Sequence, residues 1–268
     1  MNAFHHLLKA AGSHAPLGTW VLSASPLVAE AVGHAGFDWG VIDMEHAPLE
    51  LMDLVHLLQA VGNTKMVPVV RVPWNDAVVV KRVLDVGATT VLFPFVQSAA
   101  EAARAVASTR YPPQGVRGIA GPSRANRFGT LANYVASANR GIGVLVQLET
   151  VQSIEQIEAI AAVEGVDGLF IGPADLSASL GHPGQMTHPA VLDLMAKAAQ
   201  RAKAAGKPIG TIGNHPEAVA QYRAAGFDFV AISSDLGLLM QGAKAVTAAL
   251  RTPDSEHVHS ISSGTKDY

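Results

Sequence analysis

The chain contains no cysteine, and few of its residues are charged. Among its 268 residues, 15% are charged and 6% are aromatic. The missing thiols exclude disulfides, thiolate metal sites and cysteine nucleophiles. Lysine and arginine number 19 against 22 acidic residues, for a formal net charge of −3. The chain therefore lacks the basic excess that is typical of proteins that bind nucleic acid.

Long apolar runs and a secretion signal are also missing. No stretch approaches the ~18 uninterrupted apolar residues of a membrane helix, and residues 1–18 lack a charged region followed by an apolar one. We therefore expect a cytoplasmic protein that binds neither membranes nor nucleic acid. Hydrophobic residues make up 49% of the chain, which excludes a disordered protein and leaves apolar surface to bury between subunits.

Short apolar runs alternate with longer segments of helical period. The strand candidates are residues 18–23, 39–44, 65–72, 89–96, 141–149, 167–173, 207–213 and 228–235. The helix candidates are residues 26–35, 50–61, 75–86, 98–109, 151–162, 188–205, 216–225 and 236–250. Eight such units predict an α/β fold, a TIM (β/α)8 barrel. A doubly wound open sheet is the alternative, but no GxGxxG follows the first strand.

The predicted barrel forms one catalytic domain over residues 1–251, followed by a polar tail over residues 252–268. Residues 110–129 are basic and rich in glycine and proline. We interpret them as a long strand-to-helix insertion after the fourth strand. Loops of that length in a compact domain are usually functional or disordered.

Polar residues recur where the predicted strands end, which is where TIM barrels carry their active sites. Glu149 and Asp175 follow neighbouring strands, and carboxylate oxygens suit a hard divalent ion such as Mg²⁺ or Mn²⁺. The structural alternative is that Glu149 is a charge favoured at a helix N-terminus and that Asp175 is an N-cap. Spacing alone leaves both interpretations open.

Asp43, His46 and Arg71 also follow predicted strands. A carboxylate that orients an imidazole produces a general base near neutral pH, and a buried arginine needs an anionic partner. A carboxylate substrate or an enolate oxygen would provide that partner; the alternatives are a surface-turn histidine and a salt bridge from Arg71 to Asp43 or Glu45. Because Lys65 and Lys207 open strands instead of ending them, a Schiff-base mechanism is not expected.

At these residues the chain resembles the metal-dependent (class II) pyruvate aldolases of the 4-hydroxy-2-oxoheptane-1,7-dioate aldolase (HpcH/HpaI) family, in the phosphoenolpyruvate/pyruvate superfamily. The resemblance runs from Gly18 to Leu250. It is carried by the motifs FDWGVIDMEHAP (37–48), VVRVPW (69–74), RVLDVGA (82–88), YPPQGVRG (111–118), VLVQLET (144–150) and GLFIGPADLSASLGHPG (168–184).

The resemblance implies roles for individual residues. Glu149 and Asp175 would bind the divalent metal, Mg²⁺ or Mn²⁺ with Co²⁺ or Zn²⁺ as alternatives. Arg71 would stabilise the pyruvate enolate, and Asp43 and His46 would handle the proton. The residues expected to hold the pyruvyl unit are Gln147, Gly172, Pro173 and Ala174. Asp85 matches a position that reaches a neighbouring subunit's site, within a hexamer (a trimer of dimers) that exchanges its last helix, residues 236–250.

The implied activity is reversible aldol cleavage of 4-hydroxy-2-oxo acids to pyruvate and an aldehyde, as in aromatic catabolism. The alternatives are a 2-keto-3-deoxy sugar acid aldolase, an oxaloacetate decarboxylase and a barrel that binds metabolites without turnover. Residues 118–128 and 182–189 are expected to vary among relatives, and we expect aldehyde preference to reside there and near Trp20 and Ile212.

Overall fold

Eight parallel strands close into a barrel in chain order, with β8 pairing back with β1. The computed structural model describes residues 2–12 and 14–251. The strands are β1 (Leu17–Val21), β2 (Trp39–Asp43), β3 (Val67–Arg71), β4 (Thr90–Phe93), β5 (Gly143–Leu148), β6 (Gly168–Ile171), β7 (Ile209–Gly213) and β8 (Phe229–Ser234). Each overlaps a predicted strand, so the predicted TIM barrel is confirmed and the open sheet is wrong.

Helices surround the barrel and follow its strands. They are α1 (Ala3–Ala11), α2 (Pro26–His34), α3 (Leu51–Val61), α4 (Ala77–Asp85), α5 (Ala99–Thr109), α6 (Tyr134–Gly141), α7 (Val151–Glu155), α8 (Ile157–Ala161), α9 (Pro173–Ser179), α10 (Pro189–Ala204), α11 (Pro216–Ala224) and α12 (Asp235–Arg251). The sequence did not predict α1, α6 or α9. The helix predicted over residues 151–162 divides at Gln156, whose N–H is shared between the carbonyls of Gln152 and Ser153.

Local sequence explains where several helices begin. The side chains of Ser25, Asp76 and Ser98 accept hydrogen bonds from backbone N–H groups in the first turns of α2, α4 and α5. Proline occupies the first turn of α2, α9, α10 and α11, where its missing N–H has no helical partner to lose.

The barrel interior is filled by aromatic rings that pack edge to face. Phe4 of α1 contacts Trp39 and Phe229, with ring centroids 5.8 and 5.1 Å apart, and thus closes the amino-terminal end of the barrel. Small residues make room for the rings: a Cβ atom on Gly18 would lie 2.2 Å from the indole of Trp39. A second apolar layer, between strands and helices, contains most of the other buried residues.

The insertion at residues 110–129 lies at the amino-terminal end of the barrel, whereas a strand-to-helix insertion would lie at the carboxyl-terminal end. Because α5 intervenes between β4 and this segment, the chain has already returned to the amino-terminal ends of the strands. The segment is held there by Arg117, whose Nη2 lies 2.7 Å from Oδ1 of Asp85 at the end of α4. It is a helix-to-strand connection, so within one chain it does not border the carboxyl-terminal end.

The last helix, α12, extends away from the barrel. Its residues 241–251 are all exposed, and Leu239, Met240, Val246 and Leu250 present apolar side chains. Among the described residues, no helix combines the length and the apolar character needed to span a membrane. The predicted tail over residues 252–268 lies outside the described residues.

Candidate active site

A cavity of about 340 Å³ opens at the carboxyl ends of the strands. Most of the residues predicted from the sequence as metal-binding, catalytic or substrate-binding line it together. The lining residues are Trp20, His46, Arg71, Gln147, Phe170, Gly172, Pro173, Ala174, Asp175, Met186, Ile212 and Asn214. The barrel thus brings together side chains from five strands and the loops that follow them.

Arg71 is fixed by two carboxylates at the edge of this cavity. Asp43 and Arg71 are register partners at the ends of β2 and β3, and Nε and Nη2 of Arg71 donate to the two oxygens of Asp43 at 2.8 and 2.6 Å. Nη1 of Arg71 lies 2.9 Å from Oε2 of Glu45. Burial lowers the pKa of Arg71, but the hydrogen bond and charge of Asp43, together with the charges of Glu45 and Glu149, raise it overall above its usual value.

His46 lies beside this cluster. We expected Asp43 to orient the imidazole of His46, but Asp43 contacts the backbone of His46 instead of its ring. Oδ1 of Asp43 accepts from the backbone N–H of Glu45 at 3.0 Å and of His46 at 3.4 Å. The imidazole Nε2 instead lies 3.9 Å from Oε2 of Glu45, and the His46 side chain is 64% exposed. The carboxylate nearest to the predicted base is therefore Glu45, which the sequence had offered only as a salt-bridge partner for Arg71.

Glu149 is a buried carboxylate that accepts hydrogen bonds from two donors within the described part of the chain. It is 2% exposed, and its oxygens accept from Phe95 N–H at 2.7 Å and from Nε2 of Gln147 at 2.6 Å. Burial raises the pKa of Glu149 to about 7, aided by the negative charges of Asp175 and Glu45 and opposed by the two hydrogen bonds. The other amide atom of Gln147, Oε1, is buried and has no hydrogen-bond partner among residues 2–12 and 14–251.

Asp175 lies in the first turn of α9, exposed at the cavity. The N-cap alternative for Asp175 is wrong, because Gly172 is the N-cap of α9. Glu149 directly precedes Thr150, the N-cap of α7, so its charge does lie at a helix N-terminus. Gly172 also permits a close approach: a Cβ atom there would lie 2.4 Å from Oε2 of Glu149 and 2.9 Å from Nε2 of Gln147. Only glycine leaves the carboxylate in its observed position.

The oxygen atoms at this site fit a hard divalent cation. Burial raises the pKa of Glu45 and of Glu149, and the negative charge of Asp175 raises both further. A cation beside these acids would offset that repulsion. In the part of the chain that the structure describes, no group of three or more His, Asp or Glu side chains is arranged to hold a metal alone. A cation bound by two carboxylates would need further oxygens from substrate or water, as is usual for Mg²⁺.

Asp85 is the predicted site residue that lies elsewhere. It pairs with Arg117 at the amino-terminal end of the barrel, so within one chain it is separated from the cavity. Four residues at the site were not predicted from the sequence: Glu45, Phe170, Met186 and Asn214. Two of them could have been predicted, because Asn214 follows a strand with a polar end and Met186 lies in the variable segment 182–189. Phe170 could not, because it is an apolar residue within an apolar strand.

The fold and site together define a class of protein: a (β/α)8-barrel enzyme whose site, at the strand carboxyl ends, combines carboxylates with a fixed arginine. The family model for the HpcH/HpaI aldolase/citrate lyase family matches residues 17–242. The chain belongs to this family, which confirms the resemblance found in the sequence.

Related proteins agree with this assignment. The chain is 47% identical over 88% of its length to 2-dehydro-3,6-dideoxy-6-sulfogluconate aldolase from Pseudomonas putida, covering 93% of that protein. It is 46% identical over 87% of its length to 5-keto-4-deoxy-D-glucarate aldolase from Salmonella arizonae, covering 91% of that protein. These similarities confirm that the chain is an enzyme of the carbon–carbon lyase class.

A solved structure of an HpcH/HpaI aldolase/citrate lyase family protein from Burkholderia cenocepacia has the same fold. The two chains are 40% identical and superpose with a TM-score of 0.90, over 94% of this chain and 100% of that one.

Proposed function

We propose that this enzyme is a divalent-metal-dependent aldolase that reversibly cleaves 4-hydroxy-2-oxo acids to pyruvate and an aldehyde. The observation that carries the proposal is the buried Glu149, whose pKa of about 7 reflects burial and the charges of Asp175 and Glu45. A buried carboxylate with a raised pKa, in contact with the cavity-lining Gln147, indicates a functional site, and a cation there would offset its charge. Glu149 and Asp175 would hold Mg²⁺ or Mn²⁺, with Co²⁺ or Zn²⁺ as alternatives.

A bound divalent cation would supply Lewis acidity toward the carboxylate and 2-oxo oxygens of the substrate. Gln147, whose Oε1 has no partner among the residues that the structure describes, and the Gly172–Ala174 turn would position the pyruvyl unit. Nε and Nη2 of Arg71 donate hydrogen bonds to Asp43, and Nη1 forms an ion pair with Glu45. The remaining N–H groups of the guanidinium would stabilise the negative oxygen of the enolate.

The proton steps would use His46 at the cavity mouth. In the cleavage direction, its imidazole removes the proton from the C4 hydroxyl, the C3–C4 bond breaks, and the electron pair stays on C3 as the enolate of pyruvate. The former C4 leaves as the aldehyde carbonyl, and a proton is then added to C3. Glu45, 3.9 Å from the imidazole, would stabilise its protonated form.

Sugar acids are the substrate subclass that we favour. The names of the two aldolases described above each specify a keto group beside a carboxylate, then a deoxy carbon, then a hydroxyl-bearing carbon. Their substrates are thus themselves 4-hydroxy-2-oxo acids, and this chain is identical to each enzyme at nearly half of the aligned residues. The 2-keto-3-deoxy sugar acid alternative is therefore a subclass of the proposed reaction.

The assembly that we propose is a homo-oligomer in which α12 packs on another copy of the chain. The support is the row of exposed apolar residues on α12, which a monomer would leave in water. The hexamer and the role of Asp85 in a neighbouring subunit's site come from the family resemblance. Light scattering of the purified chain, compared with a variant that ends after residue 241, tests this part.

Chelation tests the activity directly. Treatment with EDTA should abolish pyruvate release from a 2-keto-3-deoxy sugar acid, and Mn²⁺ or Mg²⁺ should restore it. Full activity after exhaustive chelation would refute the metal-dependent mechanism. Parallel assays on oxaloacetate distinguish the decarboxylase alternative, which would turn over oxaloacetate but no hydroxy-oxo acid.

A further inference from the structure

Phe95, just after β4, has a left-handed backbone conformation. Its φ angle is 56°, which is unfavourable for a residue with a side chain because Cβ approaches the following carbonyl oxygen. Residues persist in this conformation when their surroundings hold them there, and such residues cluster at functional sites. In this conformation the N–H of Phe95 donates to Oε1 of Glu149 at 2.7 Å.

An exposed tryptophan lies against the side chain of Phe95. The ring of Trp74, in the loop after β3, stacks on the ring of Phe95 with centroids 6.2 Å apart and planes inclined by 28°. Trp74 is 57% exposed, so it contributes little to the core, and no step of the proposed reaction uses it. Stacking holds the two rings in one mutual orientation, and it therefore restrains the residue whose backbone is strained.

Hydrogen bonds join the same two loops on either side of this stack. Asn75, the neighbour of Trp74, donates to the carbonyl of Glu101 in α5 at 3.0 Å. The carboxylate of Glu101 accepts from the backbone N–H of Gln97 at 2.8 Å. Val96 N–H donates to the carbonyl of Gln147 at 3.1 Å. The turn that contains Phe95 is therefore restrained by the loop of Trp74 on one side and by β5 on the other.

We propose that Trp74 is a positioning residue that holds Phe95 in the left-handed conformation, so that its N–H fixes the carboxylate of Glu149 for metal binding. The inference rests on the proposed function, because it takes Glu149 as a metal ligand. Trp74 acts through Phe95 and touches no reacting atom. The hydrogen bond from Phe95 orients a metal ligand, and interactions of this kind tune metal affinity.

Mn²⁺ binding to the full-length protein tests the proposal. The variant Trp74→Ala should bind Mn²⁺ roughly tenfold more weakly, the lower end of the loss that follows removal of a group supporting a metal ligand. Trp74→Phe, which keeps an aromatic ring against Phe95, should stay within about twofold of the unsubstituted protein. Free Mn²⁺ is counted by electron paramagnetic resonance, and circular dichroism verifies that each variant is folded. Equal affinity in Trp74→Ala and the unsubstituted protein would overturn the proposal.

A second measurement needs no metal. Hydrogen exchange of the backbone amides of residues 95–98 in the metal-free protein should become faster in Trp74→Ala but not in Trp74→Phe. If the unsubstituted protein binds no Mn²⁺, the proposed function fails, and this exchange experiment still decides the role of Trp74. Unchanged exchange in Trp74→Ala would overturn that role.

A double substitution separates the proposed route from other effects of Trp74. A Phe95→Gly variant has no ring at residue 95 for Trp74 to hold. Its backbone also needs no restraint, because glycine adopts positive φ angles without strain. Adding Trp74→Ala to Phe95→Gly should therefore change Mn²⁺ affinity by less than about twofold. A further tenfold loss in the double variant would mean that Trp74 acts by a different route, contrary to the proposal.

Discussion

Asp43 and Arg71 face each other at the ends of β2 and β3 and form an ion pair with two parallel hydrogen bonds, inside the barrel. The same fork geometry occurs at the surface between Arg201 and Glu158. The two pairs share their chemistry but differ in burial, since side-chain exposure is 9% for Arg71 and 36% for Arg201. They provide an internal comparison of a pair at the site with a pair in solvent.

We expect Arg71→Lys to lower kcat/KM for aldol cleavage by roughly 100-fold, the loss typical for removal of one donor to a developing oxyanion. A lysine carries one ammonium group and cannot contact Asp43, Glu45 and the substrate in the arginine geometry. Mn²⁺ affinity should stay within about twofold. Arg201→Lys is the matched control and should leave activity unchanged, since exposed pairs contribute little. Full turnover in the Arg71→Lys variant would contradict the role assigned to Arg71.

Replacing Glu149 with glutamine should stabilise the metal-free protein at alkaline pH. Burial raises the pKa of Glu149 from 4.5 to about 7, so the folded protein binds this proton more tightly than the unfolded chain. The associated stability is present below pH 4.5 and is lost as the pH rises through 7. The loss is on the order of 3 kcal/mol, and a neutral glutamine avoids it.

Unfolding in urea at about pH 5 and about pH 8 checks this expectation. The metal-free Glu149→Gln variant should match the unsubstituted protein at the lower pH and exceed it at the higher pH. Mn²⁺ should stabilise the unsubstituted protein and have no effect on the variant. A stability difference that is the same at both pH values would show that the charge of Glu149 is not its cause.

Gly172→Ala should weaken Mn²⁺ binding and reduce kcat/KM at least about tenfold, because the new Cβ would lie 2.4 Å from Oε2 of Glu149. The carboxylate would have to move from its position beside Gln147. Gly141→Ala is the control, since a Cβ there meets nothing within 4 Å. Isothermal titration with Mn²⁺ compares the two variants, and equal affinities would exclude a steric requirement at residue 172.

Asn214→Leu should alter the choice of aldehyde without affecting pyruvate. Asn214 lines the cavity beside Ile212 and Met186, and its amide is suited to pair with a hydroxyl group of the aldehyde. In the synthetic direction we expect kcat/KM for glyceraldehyde to fall roughly tenfold relative to propanal, which has no hydroxyl to leave unpaired. Deuterium exchange at the methyl group of pyruvate, which involves no aldehyde, should be unchanged. A parallel loss for both aldehydes would assign Asn214 a structural role instead.

The barrel was predictable because each strand and helix pair carries its own pattern in the sequence. Glu149 and Asp175 were recognisable as polar residues that follow apolar strands. The salt bridge from Arg71 to Asp43 was one of the alternatives that the sequence left open. It forms because the register of β2 with β3 places the two residues side by side, and spacing along the chain does not encode that register. Residues 110–129 were placed at the wrong end, although the helix predicted before them already reversed the chain direction.

Short elements and supporting residues were harder to predict. Helix α9 has seven residues and begins shortly after β6. The predicted strand over residues 167–173 included only the first residue of α9, and the rest of the helix was assigned to no element. Phe95 and Met186 carry no reactive group, and their relation to the site arises from backbone conformation and from loop packing. Such residues become visible only when the chain is folded.

The distribution of tryptophan gives the molecule an intrinsic optical reporter. Of the three tryptophans, Trp39 is sealed within the barrel, Trp20 borders the cavity with Arg71 5.7 Å from its ring, and Trp74 faces solvent. A soluble quencher would therefore suppress the fluorescence of Trp74 first, whereas a ligand that enters the cavity would alter the fluorescence of Trp20. Binding and loop movement can thus be followed separately by fluorescence, in real time and without a label.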